Sequence, residues 1–187
     1  RSVVLVTVDA LRADHLGAYG YERPTSPHLD ALAREGVLFE AAYAPTPHTS
    51  YSVLSLMTGK YMRPLLLQGV AEDSDLWALL LRTYGYKTAA FYPPAVFFID
   101  REKFRPFEEK HLGFEYFKVE LAEGATRIGQ VERYLEKLPA EGPLFLWLHL
   151  FGPHEPYEQQ PEQAFGDADV DRYDSEIAAA DATLGQV

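Results

Sequence analysis

Apolar residues along the chain form continuous runs in some segments and helically spaced stripes in others. Residues 3–8 and 143–151 are apolar almost throughout, as in strands that are buried on both faces, and residues 87–92 predict another strand. We therefore expect residues 3–8 to form a central strand of a parallel sheet. The short run at 37–39 predicts a further strand.

Helical spacing marks five segments, which end near residues 36, 59, 81, 138 and 184. Gly36 and Gly59 lie where the first two helices should end, and Thr49 or Ser50 is suited to the N-cap of the second. Residues 93–120 mix seven Phe and Tyr with many charges, which predicts a long excursion over the sheet edge. The alternation of predicted strands and helices along the chain predicts an α/β fold, with a mostly parallel central sheet sandwiched by helices.

Composition narrows the class of protein. The 187 residues carry a net charge of −11, which disfavours nucleic acid as a partner, and 47% of them are apolar, as in a folded domain. The chain has no cysteine, so thiol catalysis and disulfides are excluded. No apolar run approaches the roughly 20 residues of a membrane span. The chain lacks an initiator Met, and a helical pattern is still running out at Val187, so we expect it to be a piece of a longer protein whose C-terminal part is missing.

Three polar residues lie at the ends of predicted buried elements. Asp9 follows the first strand, Thr49 begins a helix, and His154 follows a later strand. The carboxyl ends of parallel strands are where α/β proteins bind ligands. A hydroxyl at a helix N-terminus lies beside backbone N–H groups that favour an anion, so Thr49 could hold or attack a phosphate or sulfate. A divalent metal on a carboxylate such as Asp9 would activate the hydroxyl.

Each of these residues also has a purely structural interpretation. Asp9 could form a turn, Thr49 could cap a helix, which stabilises it by about 1 kcal/mol, and His154 could be a loop residue. His48 could act as a base for Thr49, but adjacent side chains usually point in different directions.

The other histidines are predicted to have no catalytic role. His15, His28 and His111 lie in polar stretches, so we expect solvated side chains. His149 lies inside an apolar strand and is expected to be a core residue.

The whole pattern resembles the N-terminal half of the sulfatases in the alkaline phosphatase superfamily. The resemblance rests on the order and spacing of segments at 4–17, 27–33, 36–39, 56–61, 151–157 and 173–177, followed by Asp181 and residues 184–185. It implies that residues 1–187 are the N-terminal portion of a single sulfatase-like catalytic domain with an alkaline-phosphatase-like fold.

The resemblance also implies roles for the three polar residues. Asp9 matches the first acidic metal ligand, Thr49 matches the nucleophile, which also contacts the metal, and His154 matches a histidine that contacts the substrate's anionic group. The metal would be zinc, manganese or calcium. The family's further ligands, an Asp-His pair and a later histidine, follow the last helix of this chain. We therefore expect tight metal binding only in the full-length protein.

The chain departs from ordinary sulfatases around the nucleophile. Thr49 cannot become formylglycine, Tyr51 and Val53 replace the Pro and Arg of the usual motif, and Ala10 follows Asp9 where a second acid is common. Residues 49–53 look more like the threonine segment of phosphoethanolamine and phosphoglycerol transferases and of phosphodiesterases. This shifts the expected substrate from sulfate toward phosphate esters.

The sequence therefore predicts a metal-dependent hydrolase or transferase that acts through Thr49 on a small-molecule, lipid or glycan phosphate or sulfate ester. The alternative is a non-catalytic binding or scaffold module in which Thr49 only caps a helix. The resemblance favours an extracytoplasmic location, with a membrane tether in the full-length protein.

Overall fold

The computed structural model describes residues 1–71, 73–139 and 142–187, which group into two compact units. The first unit comprises residues 1–6, 43–121 and 139–148, and the second comprises residues 7–42, 122–138 and 149–187. Each unit has a hydrophobic cluster of its own. That residues 1–187 are part of one catalytic domain stays a prediction.

Four strands form one sheet: β1 (Val3–Val8), β2 (Lys87–Tyr92), β3 (Tyr116–Val119) and β4 (Leu144–Leu150). Their order is β1-β4-β2-β3, and β2 pairs in parallel with both of its neighbours. The predicted α/β class is confirmed. The prediction that β1 is central is wrong for the described residues, because β1 has a neighbour on one side only and its first two valines are half exposed.

Besides short 3-10 turns, the described residues form seven α-helices: α1 (Pro27–Glu35), α2 (Thr49–Thr58), α3 (Met62–Leu67), α4 (Trp77–Thr83), α5 (Arg101–Glu108), α6 (Gly124–Leu135) and α7 (Asp169–Leu184). The five predicted helices correspond to α1, α2, α4, α6 and α7. No helix among the described residues is both long and apolar enough to cross a membrane.

Two segments differ from the prediction. Residues 37–39 form no strand, and Val37 and Phe39 are 80% and 70% exposed, because this short apolar run has no paired neighbour. The excursion at 93–120 contains α5 and ends in β3, which extends the sheet beyond β2. Pro106 lies inside α5 and obscures its helical pattern.

The core of the first unit joins the sheet to α2. Trp147 of β4 stacks on Tyr92 of β2 with ring centroids 4.9 Å apart. From α2, Leu54 and Met57 are buried in the same cluster, as the helical spacing predicts. Helix α4 is less buried than its nearly continuous apolar sequence suggests, since Trp77 is 47% exposed.

In the second unit, a polar network surrounds the wholly buried Asp174 of α7. One carboxylate oxygen lies 2.6 Å from His15 Nδ1, and the other accepts hydrogen bonds from the Tyr21 hydroxyl at 2.6 Å and from Arg23 at 2.7 Å. Burial is the main cause, and the hydrogen bond to Asp174 the second, that raises the pKa of Tyr21 to about 12. A buried carboxylate is tolerated here because it has several partners.

Of His15, His28 and His111, which were expected to be solvated, only one is exposed. His28 is exposed. His15 is only 13% exposed because it contacts Asp174, and His111 stacks on the Phe117 ring at a centroid distance of 3.4 Å. Polar sequence surroundings do not reveal such partners, because the partner of His15 lies 159 residues away along the chain.

Candidate active site

Asp9 lies at the carboxyl end of β1, as predicted. Its backbone N–H donates to the carbonyl of Leu150, the last residue of β4, at 2.9 Å. Its carboxylate Oδ1 accepts a hydrogen bond from the Ala10 N–H at 2.9 Å. Ala10 has φ 53°, a left-handed conformation that is unusual for alanine and that turns the chain sharply after the strand. The acid is therefore held at a defined point on the rim.

His149 of β4 lies beside Asp9, which the sequence did not predict. The His149 side chain is 2% exposed, its Nδ1 is 2.7 Å from the Thr7 hydroxyl, and its Nε2 is 3.6 Å from Asp9 Oδ2. The prediction of a core residue is correct as to burial. A useful signal was available, because Thr7 and His149 are polar residues within apolar runs, one and two positions before the ends of those runs.

Thr49 is the first residue of α2, and its N-cap is His48 in an extended conformation. The predicted N-cap, Thr49 or Ser50, therefore lies one or two residues after the observed N-cap. Thr49 is partly exposed. Its position in the first turn places its side chain beside N–H groups that no helical carbonyl can reach. The geometry suits a hydroxyl that approaches an anion.

Neighbouring side chains hold the first turn of α2 in place. The Ser50 hydroxyl donates to the Val96 carbonyl at 2.6 Å, and the Tyr51 hydroxyl donates to Asp100 at 2.6 Å. The hydrogen bond from Tyr51 is the largest of the contributions that lower the pKa of the Asp100 carboxyl. These bonds tie the start of α2 to the segment after β2.

His154 lies in the segment that follows β4 and is partly buried. Its Nδ1 is 2.8 Å from the Glu155 carbonyl, and its ring stacks on Phe151 at 4.6 Å between centroids. Because a carbonyl oxygen only accepts, Nδ1 carries the hydrogen of this bond. Nε2 is then the nitrogen available to a ligand.

The described residues do not by themselves provide a complete metal site. No group of three or more His, Cys, Asp or Glu side chains in residues 1–71, 73–139 and 142–187 is arranged to hold an ion. Asp9 belongs to the second unit and Thr49 to the first, so their joint contact with a metal stays a prediction. A zinc site normally needs about four ligands.

Comparison with known proteins identifies the family. Residues 1–187 match the Sulfatase family over their whole length. The chain belongs to the sulfatase family. A similar relative, an ulvan-active sulfatase from Formosa agariphila, is 32% identical over 123 residues, which cover 63% of this chain and 24% of that protein. The chain thus spans about a quarter of that relative's length.

Solved structures support the predicted alkaline-phosphatase-like fold. A protein in the alkaline phosphatase superfamily from Vibrio parahaemolyticus gives a TM-score of 0.74 at 21% identity, covering 98% of this sulfatase-family chain and 48% of that chain. The soluble domain of lipooligosaccharide phosphoethanolamine transferase A from Neisseria meningitidis gives a TM-score of 0.70 at 18% identity. The match covers 95% of this chain and 58% of that domain's chain. The predicted resemblance to sulfatases is confirmed, and the fold is shared with the soluble domain of a phosphoethanolamine transferase.

Proposed function

We propose that this chain is part of a metal-dependent hydrolase or transferase that acts on phosphate or sulfate esters with Thr49 as its nucleophile. Family membership supports the ester chemistry. The observation that carries the role of Thr49 is its position as the first residue of α2, partly exposed, in a turn anchored by Ser50 and Tyr51. No formylglycine can form here, so the hydroxyl itself is the reacting group.

In the proposed reaction, Thr49 Oγ1 forms a bond to the phosphorus or sulfur atom while the bond from that atom to the leaving oxygen breaks. The released alcohol gains a proton, which balances the proton lost from the threonine hydroxyl. The helix N-terminus favours the negative charge of the ester group. His154 Nε2 contacts the anionic oxygens.

Metal dependence is proposed for the full-length protein. Asp9 and Thr49 would hold the ion, and a bound divalent metal supplies Lewis-acid stabilisation of the ester's negative charge. Because the described residues do not provide a full ligand set, we derive no step through the metal. An extracytoplasmic location with a membrane tether, and a lipid or glycan ester as substrate, complete the proposal on the basis of the family resemblance.

The test is turnover of an aryl phosphodiester and an aryl sulfate by the full-length protein carrying Thr49→Ala. We expect loss of turnover by at least about a thousandfold, since the covalent step is removed. Thr58→Ala is the matched control, because the Thr58 hydroxyl donates to the Leu54 carbonyl at the other end of the same helix. Undiminished activity of the Thr49 variant would refute the nucleophile assignment, whereas absence of turnover by the wild type would favour the non-catalytic module.

A further inference from the structure

The acidic residue at the start of α5 departs from the usual geometry of a helix N-cap. Asp100 is the N-cap residue of α5, a position where an aspartate ordinarily has an extended backbone and accepts a hydrogen bond from the first turn of its own helix. Here its backbone is left-handed, with φ 55° and ψ 34°. Within residues 73–139, which the structure describes, its side chain makes no capping hydrogen bond to α5. Asp100 therefore stabilises its own helix less than an aspartate at this position could.

The Asp100 carboxylate contacts α2 instead. Its Oδ2 accepts the hydrogen bond from the Tyr51 hydroxyl at 2.6 Å, and the same oxygen lies 3.3 Å from Lys103 Nζ. Tyr51 is 3% exposed, and its ring packs in a T-shaped contact with Phe104 of α5, with centroids 4.9 Å apart. A buried tyrosine usually finds a partner for its hydroxyl, and Asp100 is that partner here.

The contact between Asp100 and Tyr51 fixes the turn of α2 that carries Thr49. Tyr51 is the third residue of α2, and Thr49 is the first. The second residue, Ser50, donates to the Val96 carbonyl at 2.6 Å. Val96 and Asp100 both belong to the segment that follows β2, so this segment holds the turn at two consecutive residues. Precise placement matters for a nucleophile, since a displacement of about 1 Å can cost about a hundredfold in rate.

We propose that Asp100 is a positioning residue for the reaction, which acts through the Tyr51 hydroxyl to hold Thr49 in the direction of attack. Residues in sparsely populated backbone conformations persist where the surrounding structure fixes them, and such residues cluster at functional sites. The left-handed backbone of Asp100 brings its carboxylate to Tyr51 rather than to α5. This inference rests on the role of Thr49 in the proposed function. Asp100 itself touches neither the ester nor the reacting atoms.

Backbone conformation and hydrogen bonding can be separated by substitution at Asp100. Asp100→Gly accommodates the left-handed backbone and removes the acceptor. Asp100→Asn keeps an acceptor oxygen and also tolerates the left-handed conformation. Tyr51→Phe removes the donor of the same hydrogen bond and keeps the ring that packs on Phe104. Lys103→Ala is the matched control, because it removes a partner of Asp100 and leaves the hydrogen bond from Tyr51 in place.

The measurement is turnover of an aryl phosphodiester by the full-length protein, with kcat and KM determined separately at a temperature where circular dichroism shows each variant to be folded. We expect Asp100→Gly and Tyr51→Phe each to lower kcat about tenfold and to change KM less than about twofold. The direction of the Thr49 hydroxyl matters for attack, whereas the ester is also held by His154 in the proposed function. Asp100→Asn should keep kcat within about threefold of the wild type, and Lys103→Ala within about twofold. The double variant Tyr51→Phe/Asp100→Gly should be no slower than either single variant, because both changes remove the same bond.

Wild-type kcat in Asp100→Gly would overturn the proposal. Losses that multiply in the double variant would also overturn it, since the two residues would then act independently. An equal loss of kcat in Lys103→Ala would show a general effect of the start of α5, with the same consequence. Wild-type kcat in Asp100→Gly together with an inactive Thr49→Ala variant would overturn this inference alone, whereas a fully active Thr49→Ala variant would overturn both this inference and the proposed nucleophile.

Discussion

Acidic residues in the second unit differ in how their charge is balanced. Asp174 is surrounded by His15, Tyr21 and Arg23, whereas the carboxylate of Glu123 accepts a hydrogen bond from the Phe151 N–H at 3.1 Å. Burial raises the pKa of the Glu123 carboxyl, against the opposing effects of that N–H, Arg127 and His149. The ionised Glu123 carboxylate therefore lowers the free energy of unfolding by an amount that depends on pH.

The pH dependence has a definite sign. Because the pKa of Glu123 is raised in the folded state, the folded protein binds more protons than the unfolded chain above the ordinary value of 4.5, and stability falls as pH rises from there through the raised pKa. We expect Glu123→Gln to make the protein more stable than the wild type at pH 7 but not at pH 4. Urea denaturation at both values measures this.

Glu136→Gln, at an exposed position after α6, is the control for this experiment. It should leave the pH dependence of the unfolding free energy unchanged. If Glu123→Gln has the same small effect at pH 7 as Glu136→Gln, the raised pKa assigned to the Glu123 carboxyl is incorrect.

At the scale of elements, α7 supports α1 through a side-chain cap. Asp181 of α7 is 1% exposed, and its two carboxylate oxygens accept hydrogen bonds from the His28 and Leu29 N–H groups at 2.9 and 2.8 Å. These are first-turn N–H groups of α1, which have no carbonyl partner within their own helix. Asp181 thus replaces a local N-cap with one from a distant helix.

Asp181→Ala removes this cap. We expect a loss of about 1–2 kcal/mol in the free energy of unfolding, because two helix N–H groups lose their acceptor. Hydrogen exchange at the His28 and Leu29 amides should accelerate. Asp169→Ala, at the start of α7 with an 87% exposed side chain, is the matched control and should cost less than about 0.5 kcal/mol.

Elements with strong apolar patterns could be predicted from sequence, and weakly patterned ones could not. The bounds of β1 and β2 agree with their runs because a buried strand needs continuous apolar residues. The edge strand β3 was missed because it is only four residues long and largely exposed. Asp9 and Thr49 were located correctly at element ends, whereas the position of His149 beside Asp9 depends on a contact that periodicity does not encode.

For the molecule as a whole, we expect tight metal binding to need ligands beyond those of the described residues. The described residues contain no cluster of three or more potential His, Cys, Asp or Glu ligands. We therefore expect the 187-residue chain to bind zinc, manganese and calcium more weakly than about micromolar, whereas the full-length protein should bind tightly and lose activity with a chelator. Calorimetric titration of both forms measures the difference, and micromolar binding by the chain alone would contradict the prediction.

The role of Thr49 as nucleophile can be tested by mass spectrometry of the full-length protein after rapid acid quenching during turnover of an aryl phosphodiester or aryl sulfate. We expect the peptide containing Thr49 to gain the mass of the transferred phosphoryl or sulfuryl group, and Thr49→Ala to abolish this adduct and turnover together. Full turnover by the Thr49→Ala variant, or an adduct on a different residue, would contradict it.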